Sequence, residues 1–270
     1  MDLATPVGVI AGFLAIFVSM FMEGGNPAQL VGSPSALILV VVGTTGVSLA
    51  SSRMSDMTAV RRAMFKMLKP AKKEDHTQTV EALVGFADTA RKEGLLALEE
   101  KVKVVEDPFL KRGMQLVIDG SDAEVVQESL SAEISGLRAR HAVATKFFSD
   151  MGGFSPTLGI IGTVLGLVHT LQNLSNPGRL GPLIASAFLA TLWGVMLANV
   201  VYLPLANKMK RATSAEVAHM QLVTEGILAI QAGASPRVIS ERLECTLPIG
   251  QRTGGKPTNI ADKQAEKKSA

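Results

Sequence analysis

The residues of this chain that could do chemistry inside a membrane are hydroxyls and bare backbone, not charges. Residues 155–174, SPTLGIIGTVLGLVHTLQNL, contain no Asp, Glu, Lys or Arg; Gly159, Gly162 and Gly166 thin one side, and Thr163 sits in the middle. A second threonine, Thr191, holds a matching place in LIASAFLATLWGVMLANVVYLPLA, residues 183–206. Gly162 and Gly166 form a G-x-x-x-G pair, which lets another backbone approach closely, although Gly8 and Gly12 share that spacing. A lone threonine in a helix can bond back to its own i−4 carbonyl, so each reads by itself as helix structure. Together they could present two hydroxyls at similar depth. Pro156 and Pro204 lie toward the same side of their segments and read equally as hinges or as a helix start and stop, since a membrane-helix proline frees a carbonyl and permits bending.

An absence decides more than these residues do. Ion movement through lipid normally needs an ionisable group inside the membrane, and the one candidate, His169, falls near an end of its segment and reads as an interfacial residue. Either the chain does not transport ions, or a partner supplies the acid. No Ser/His/Asp set, phosphate loop or paired-His metal spacing occurs, and the histidines of "DH" (His76) and "HTLQN" (His169) read as lone residues. A single cysteine, Cys245, excludes an internal disulfide and a Cys-rich metal site. The expectation is a protein that is not an enzyme and carries no cofactor.

These residues must be positioned by apolar helices. The chain has 270 residues, is 47% hydrophobic and only 19% charged, and its mean hydropathy is +0.28. About 20 apolar residues span a bilayer, and segments 6–22, 35–52, 154–172 and 183–206 meet or approach that length. All 27 Lys and Arg lie at residue 53 or later, and only Arg179 falls in the short loops 23–34 and 173–182. By the positive-inside rule those loops are external, and the long insertion and both termini are cytoplasmic. The net charge of +3 reflects this bias and needs no nucleic-acid partner.

The fold expected is thus an all-α integral membrane protein with four transmembrane helices and a large helical cytoplasmic domain between the second and third. Its parts are residues 1–53 (helices 1 and 2), 54–150 (cytoplasmic domain), 151–206 (helices 3 and 4), 207–249 (helical tail) and 250–270, whose Gly/Lys/Thr/Ala composition predicts disorder. Within the insertion, with 15 basic and 16 acidic residues between 54 and 150, Val80, Leu83, Val84 and Ala87 recur at helical spacing. Gly94 interrupts that pattern. Ser121 or Asp122 is a plausible N-cap for a helix running almost to the third span. Ser235–Pro236 places a cap and an N1 proline before RVISERLECTL.

The run GIIGTVLGLVHTLQNLSNPGRLGPLIASAFLATLWGVMLANVVYLPLANKMK resembles the last two helices of the MotA/PomA family, the flagellar motor stator A subunits within the MotA/TolQ/ExbB superfamily. ARKEGLLALEE resembles that family's rotor-facing segment and GASPRVISERLECTL its tail, so the resemblance covers about residues 1–248. It implies five A subunits around two copies of a B subunit (MotB/PomB-type) whose membrane helix carries the essential Asp, in the bacterial inner membrane. Thr163, Thr191 and Ala190 would then line the ion path, with Gly159, Gly162 and Gly166 packing the helices. Pro156 and Pro204 match the family's coupling prolines, and Arg91 and Glu99 its contacts to the rotor switch protein (FliG-type). Sodium-coupled relatives typically carry two adjacent threonines where this chain has Ala190 and Thr191, which favours protons as the coupled ion. ANVVYLPLANK looks more like the sodium-type branch, and both ions stay open. The alternative is an ExbB/TolQ-like energiser of outer-membrane processes, a group that normally has three spans.

Overall fold

A computed structural model describes residues 4–26, 28–31, 34–68 and 76–246. The expected disordered end, 250–270, lies outside the described residues. Every regular element among them is helical. In chain order they are α1 (Ala4–Met22), the single turn α2 (Ala28–Val31), α3 (Pro34–Ala50), α4 (Asp56–Leu68), α5 (His76–Glu93), a 3-10 turn (Leu95–Ala97), α6 (Leu98–Lys103), α7 (Pro108–Ile118), α8 (Ala123–Gln172), α9 (Pro177–Met196), a π-helical segment (Leu197–Tyr202), α10 (Leu203–Gln231) and α11 (Pro236–Thr246). The chain divides into two compact units, residues 1–71 with 138–213 and residues 72–137 with 214–270.

The first unit holds the apolar helices. Among the described residues α1, α8 and the run from α9 through α10 are long and apolar enough to cross a membrane, while α3, equally apolar, has 17 residues. Their outward faces carry large aliphatic side chains, such as Ile10 and Leu14 on α1 and Ile161, Leu165 and Val168 on α8. A soluble surface of that kind would be costly, at about 25 cal/mol for each Å² of apolar area left in water. Lipid or a neighbouring subunit removes that cost. Trp193 is held inside by an Nε1–H bond to the Leu30 carbonyl at 2.9 Å, packed with Val40 and Met196. A second cluster joins Val60 of α4 to Phe147, Phe148 and Met151 of α8 and Tyr202 and Met209 further on.

The second unit is built like a soluble helical domain. Val80, Leu83 and Ala87 of α5 are buried and Val84 is partly so, as their spacing predicts; around them close Leu98, Met114, Val126, Leu130, Ile227, Ile239 and Leu243. Gly113 and Gly226 sit where side chains meet: an added Cβ would lie 2.4 Å from Ile227 Cδ1 and 2.6 Å from Leu83 Cδ1, respectively. Asp107 caps α7, accepting from the amides of Phe109 (2.9 Å) and Leu110 (3.4 Å), with Pro108 at N1. Ser235 accepts from the Val238 amide at 3.4 Å, and Pro236 opens α11, the arrangement read from the sequence.

One boundary differs from the spans read in the sequence. Pro156 does not open a helix but lies inside the 50-residue α8, which starts at Ala123, directly after Asp122. Gly152 and Gly153 stay helical, and Ser155 turns its hydroxyl to the Gly194 carbonyl instead of capping a new helix, so α8 runs through. The stretch AEVAHMQLVTEGILAIQ is helical and belongs to α10.

Candidate functional site

Where α8 meets α9 the backbones touch. A Cβ added at Gly159 would lie 2.9 Å from both the Ala190 carbonyl oxygen and Thr191 Cα; at Gly162 it would lie 2.6 Å from Ala190 Cβ, and at Gly166 2.4 Å from Ala187 Cβ. Gly194 returns the contact from the other helix, where a Cβ would fall 2.6 Å from the Ser155 carbonyl. Small residues on both sides therefore set the approach. The three glycines read as a packing stripe lie together on this face, against Ala187, Ala190 and Thr191.

The stripe brings the two threonines into direct hydroxyl–hydroxyl contact. Thr163 Oγ1 lies 3.1 Å from its own i−4 carbonyl, Gly159, and 3.4 Å from the Ala187 carbonyl on α9. Thr191 Oγ1 lies 3.1 Å from the Gly159 carbonyl on α8. Ala187 is i−4 to Thr191, so each threonine reaches the carbonyl that ordinary back-bonding would reserve for the other. A hydroxyl has one proton to donate. The pair can therefore point its two protons in more than one pattern among these oxygens. Ala190, 3% exposed, sits beside the pair against Gly162 and contributes no oxygen from its side chain.

Ser155, which was not singled out in the sequence, adds a fully buried hydroxyl donating 2.9 Å to the Gly194 carbonyl. It precedes Pro156, and a Cβ at Gly194 would come 3.3 Å from Pro156 Cα, so the α8 proline lies within the glycine contact. Pro204 stands at the second position of α10, immediately after the π segment Leu197–Tyr202. Proline has no amide to give the carbonyl four residues back. The helix widens just before it, and the Leu203 amide donates to the Ala198 carbonyl, five residues back. Single π turns of this kind recur at functional sites.

Arg91 and Glu99 flank a turn in the second unit. Arg91 occupies the last turn of α5 and Glu99 the first turn of α6; both are exposed. Gly94 between them has φ +87°, a left-handed conformation that other residues enter at a cost. Leu96 is 76% exposed at the tip. Glu99 and Glu100 both bind Lys103, at 3.3 and 2.8 Å. Glu100 first and Glu99 second, through hydrogen bonds, raise the Lys103 pKa.

Two groupings escaped the sequence. On α3, Thr44 and Ser48 are fully buried with hydroxyls that have no partner, while Thr45, Ser51 and Ser52 bond back to carbonyls four residues earlier. In the second unit, His76, read as lone, stands with its Nδ1 3.3 Å from Nδ1 of His219, whose Nε2 is 3.0 Å from Asp107 Oδ2. The partners are 143 and 112 residues apart in the chain, beyond any spacing rule.

All-helical architecture and long apolar helices packed through small residues are those of a helical membrane protein. Residues 101–222 match the MotA/TolQ/ExbB proton channel family. Over 93% of its length the chain is 38% identical to the chemotaxis protein PomA of Vibrio alginolyticus and 37% identical to motility protein A of Cereibacter sphaeroides, covering 98% of each. The flagellar MotAB stator complex of Bacillus subtilis contains a chain that superimposes with a TM-score of 0.85 at 32% identity, over 92% of this chain and 98% of that one. The chain belongs to the MotA/PomA family of motility A proteins.

Proposed function

We propose that this chain is the A subunit of a flagellar stator, which with a B subunit passes ions down their gradient and turns that flow into torque on the rotor. The observation that carries the reading is the Thr163–Thr191 pair, held at backbone contact between two helices that supply no carboxylate. The acid then comes from the partner: a B-subunit Asp beside these hydroxyls, alternately neutralised and released. One elementary charge crossing 100 mV supplies about 2.3 kcal/mol, enough to drive a step that breaks and remakes a few weak contacts.

On this reading α1, α3, the apolar half of α8 and the α9–α10 run form four spans in the bacterial inner membrane, with both termini and the second unit cytoplasmic. Five A chains surround two B chains, and Arg91 and Glu99 meet the FliG-type switch protein. Exposed charge pairs are worth about 0–1 kcal/mol each, which suits repeated engagement and release. Pro156 and the π segment before Pro204 give the helices places to flex. The proton is the favoured ion because Ala190 leaves a single threonine hydroxyl on α9, and a hard cation such as sodium prefers several oxygen ligands. Swimming speed measured with and without sodium at fixed proton-motive force distinguishes the two.

The test is deletion of the gene in its host, with filaments counted by electron microscopy and swimming tracked in the same cells. Normal filaments on non-swimming cells, rescued by the wild-type gene but not by Thr191→Val that still assembles, establish the stator role. Unimpaired swimming in a strain with no second stator set removes it and favours an energiser of outer-membrane processes.

A further inference from the structure

The net charge of +3 is divided unevenly along the chain. The first unit carries twelve Lys and Arg against four Asp and Glu, and the second carries fifteen against twenty. Of the four acids in the first unit, only Asp56 and Asp150 lie beyond residue 52. Both are engaged: Asp56 accepts from the Arg53 amide and the Ser55 hydroxyl, and Asp150 pairs with Lys146 at 3.0 Å. Arg53, Arg61, Arg62, Lys210 and Arg211 are all exposed, and none of their side chains has an ion pair or hydrogen bond among the described residues.

These cations sit where the apolar runs end. Val60 of α4 shares one buried cluster with Phe147, Phe148 and Met151, just before the apolar stretch of α8, and with Tyr202, Ala206 and Met209, at the end of the α9–α10 stretch. Met57 and Ala63, one turn to either side of Val60, are partly buried against the same cluster. The free side of α4 carries Arg61 and Arg62 with Met64, 42% exposed, and Met54 just ahead of the helix is 76% exposed. Because Met209 enters the cluster that Val60 enters, Lys210 and Arg211 beside it in the chain lie at the same rim as Arg61. Lys208 turns inward instead, donating to the Thr5 hydroxyl at 2.6 Å. A helix that mixes exposed apolar and basic side chains at such a level lies in the membrane interface. The cytoplasmic leaflet offers it anionic headgroups, and a guanidinium fork fits a phosphate. We infer that α4, together with Lys210 and Arg211, is a docking surface for anionic phospholipid, with phosphates against the cations and acyl chains beside Met54 and Met64. This rests on the reading above, in which the spans end here on the cytoplasmic side.

The experiment uses the full-length chain purified with its B partner in neutral detergent. It is titrated with dioleoylphosphatidylglycerol or dioleoylphosphatidylcholine, and bound lipid is read by native mass spectrometry. Phosphatidylglycerol binds in preference, and the preference fades as salt rises, because exposed charges are screened. Arg61→Gln/Arg62→Gln lowers the affinity for phosphatidylglycerol about 25-fold, or about 5-fold for each cation, the equivalent of about 1 kcal/mol apiece. Arg61→Lys/Arg62→Lys keeps most of it, since the charge remains. Arg237→Gln, at an exposed position of the second unit, changes nothing. Equal binding of the two lipids by the unsubstituted complex overturns the site. Loss of the A–B complex in Arg61→Gln/Arg62→Gln before any lipid is added also overturns it, and makes this face a contact between subunits. Swimming restored by the unsubstituted gene checks the stator reading separately. Motility without a lipid preference removes the lipid site alone, whereas a lipid preference without motility removes the stator reading and leaves the site standing.

Discussion

Thr191 gives up back-bonding to its own helix in order to reach the Gly159 carbonyl on the next. Thr191→Val keeps the shape and removes the hydroxyl, so Gly159 and Thr163 lose a partner while the packing survives. The expected result is normal assembly with ion flux in proteoliposomes cut by about 10-fold or more, the equivalent of about 1.4 kcal/mol. Asp107 serves a different purpose. Replacing an N-cap aspartate with alanine costs about 0.5–2 kcal/mol, so Asp107→Ala lowers the melting temperature of the second unit. Burial pushes the Asp107 carboxyl pKa up, but hydrogen bonds from His219 and from the Phe109 and Leu110 amides outweigh that and leave it lowered. The lowered pKa fixes the sign with pH: the carboxylate's contribution is fully present above its unfolded value of 3.8 and is lost as pH falls through its lower folded value. The melting difference between wild type and Asp107→Ala should therefore shrink on acidification below 3.8. The two threonines could be picked out of the sequence because hydroxyls stand out in a run of aliphatics. The His76–His219 contact could not, because only the packing of α5 against α10 creates it.

At the scale of elements, the glycines of α8 determine how close α9 can come. Gly166→Leu places a branched side chain where Cβ alone already falls 2.4 Å from Ala187 Cβ. Overpacking of that kind costs about 1–3 kcal/mol and should appear as loss of the assembled complex on native gels, not as a selective loss of flux. The turn at Gly94 answers to backbone geometry instead. Gly94→Ala must adopt φ near +87°, at a cost of about 1–2 kcal/mol. It should reduce motility by displacing Arg91 relative to Glu99, with both charges still present. Helices were the most legible part of the chain: the spacing of Val80, Leu83 and Ala87, the break at Gly94 and the cap at Ser235 all appear where the sequence puts them. Their ends were less so. The long α8 carries Pro156 in its interior, and a proline alone does not say whether a helix starts at it or runs through it, as α8 does here.

For the whole molecule the informative variants are those that separate building from working. Arg91→Glu or Glu99→Lys changes an exposed charge whose removal touches no core, so membrane levels and B-subunit association should remain while swimming falls. Loss of the assembled complex in either variant would remove the contact role. Family membership and the all-helical, apolar character of the chain were legible in the sequence, since they rest on composition and on long motifs. The way the chain gathers into two units was not, because each draws on segments far apart: 138–213 returns to the first unit and 214–270 to the second.

The π segment Leu197–Tyr202 has one further effect. Each extra residue in a helical turn advances the azimuth of everything after it by about 100°. The sequence before Met196 and the sequence after Leu203 are therefore written in two different phases, and one helical wheel drawn through both mixes their faces. Deleting Asn199, an exposed residue within the bulge, should restore an ordinary winding and leave both halves folded. It would also turn Ala206 and Met209 out of register with the Phe147–Phe148 cluster they now fill. Such a chain would keep nearly all its residues and its helices, yet lose the alignment between them.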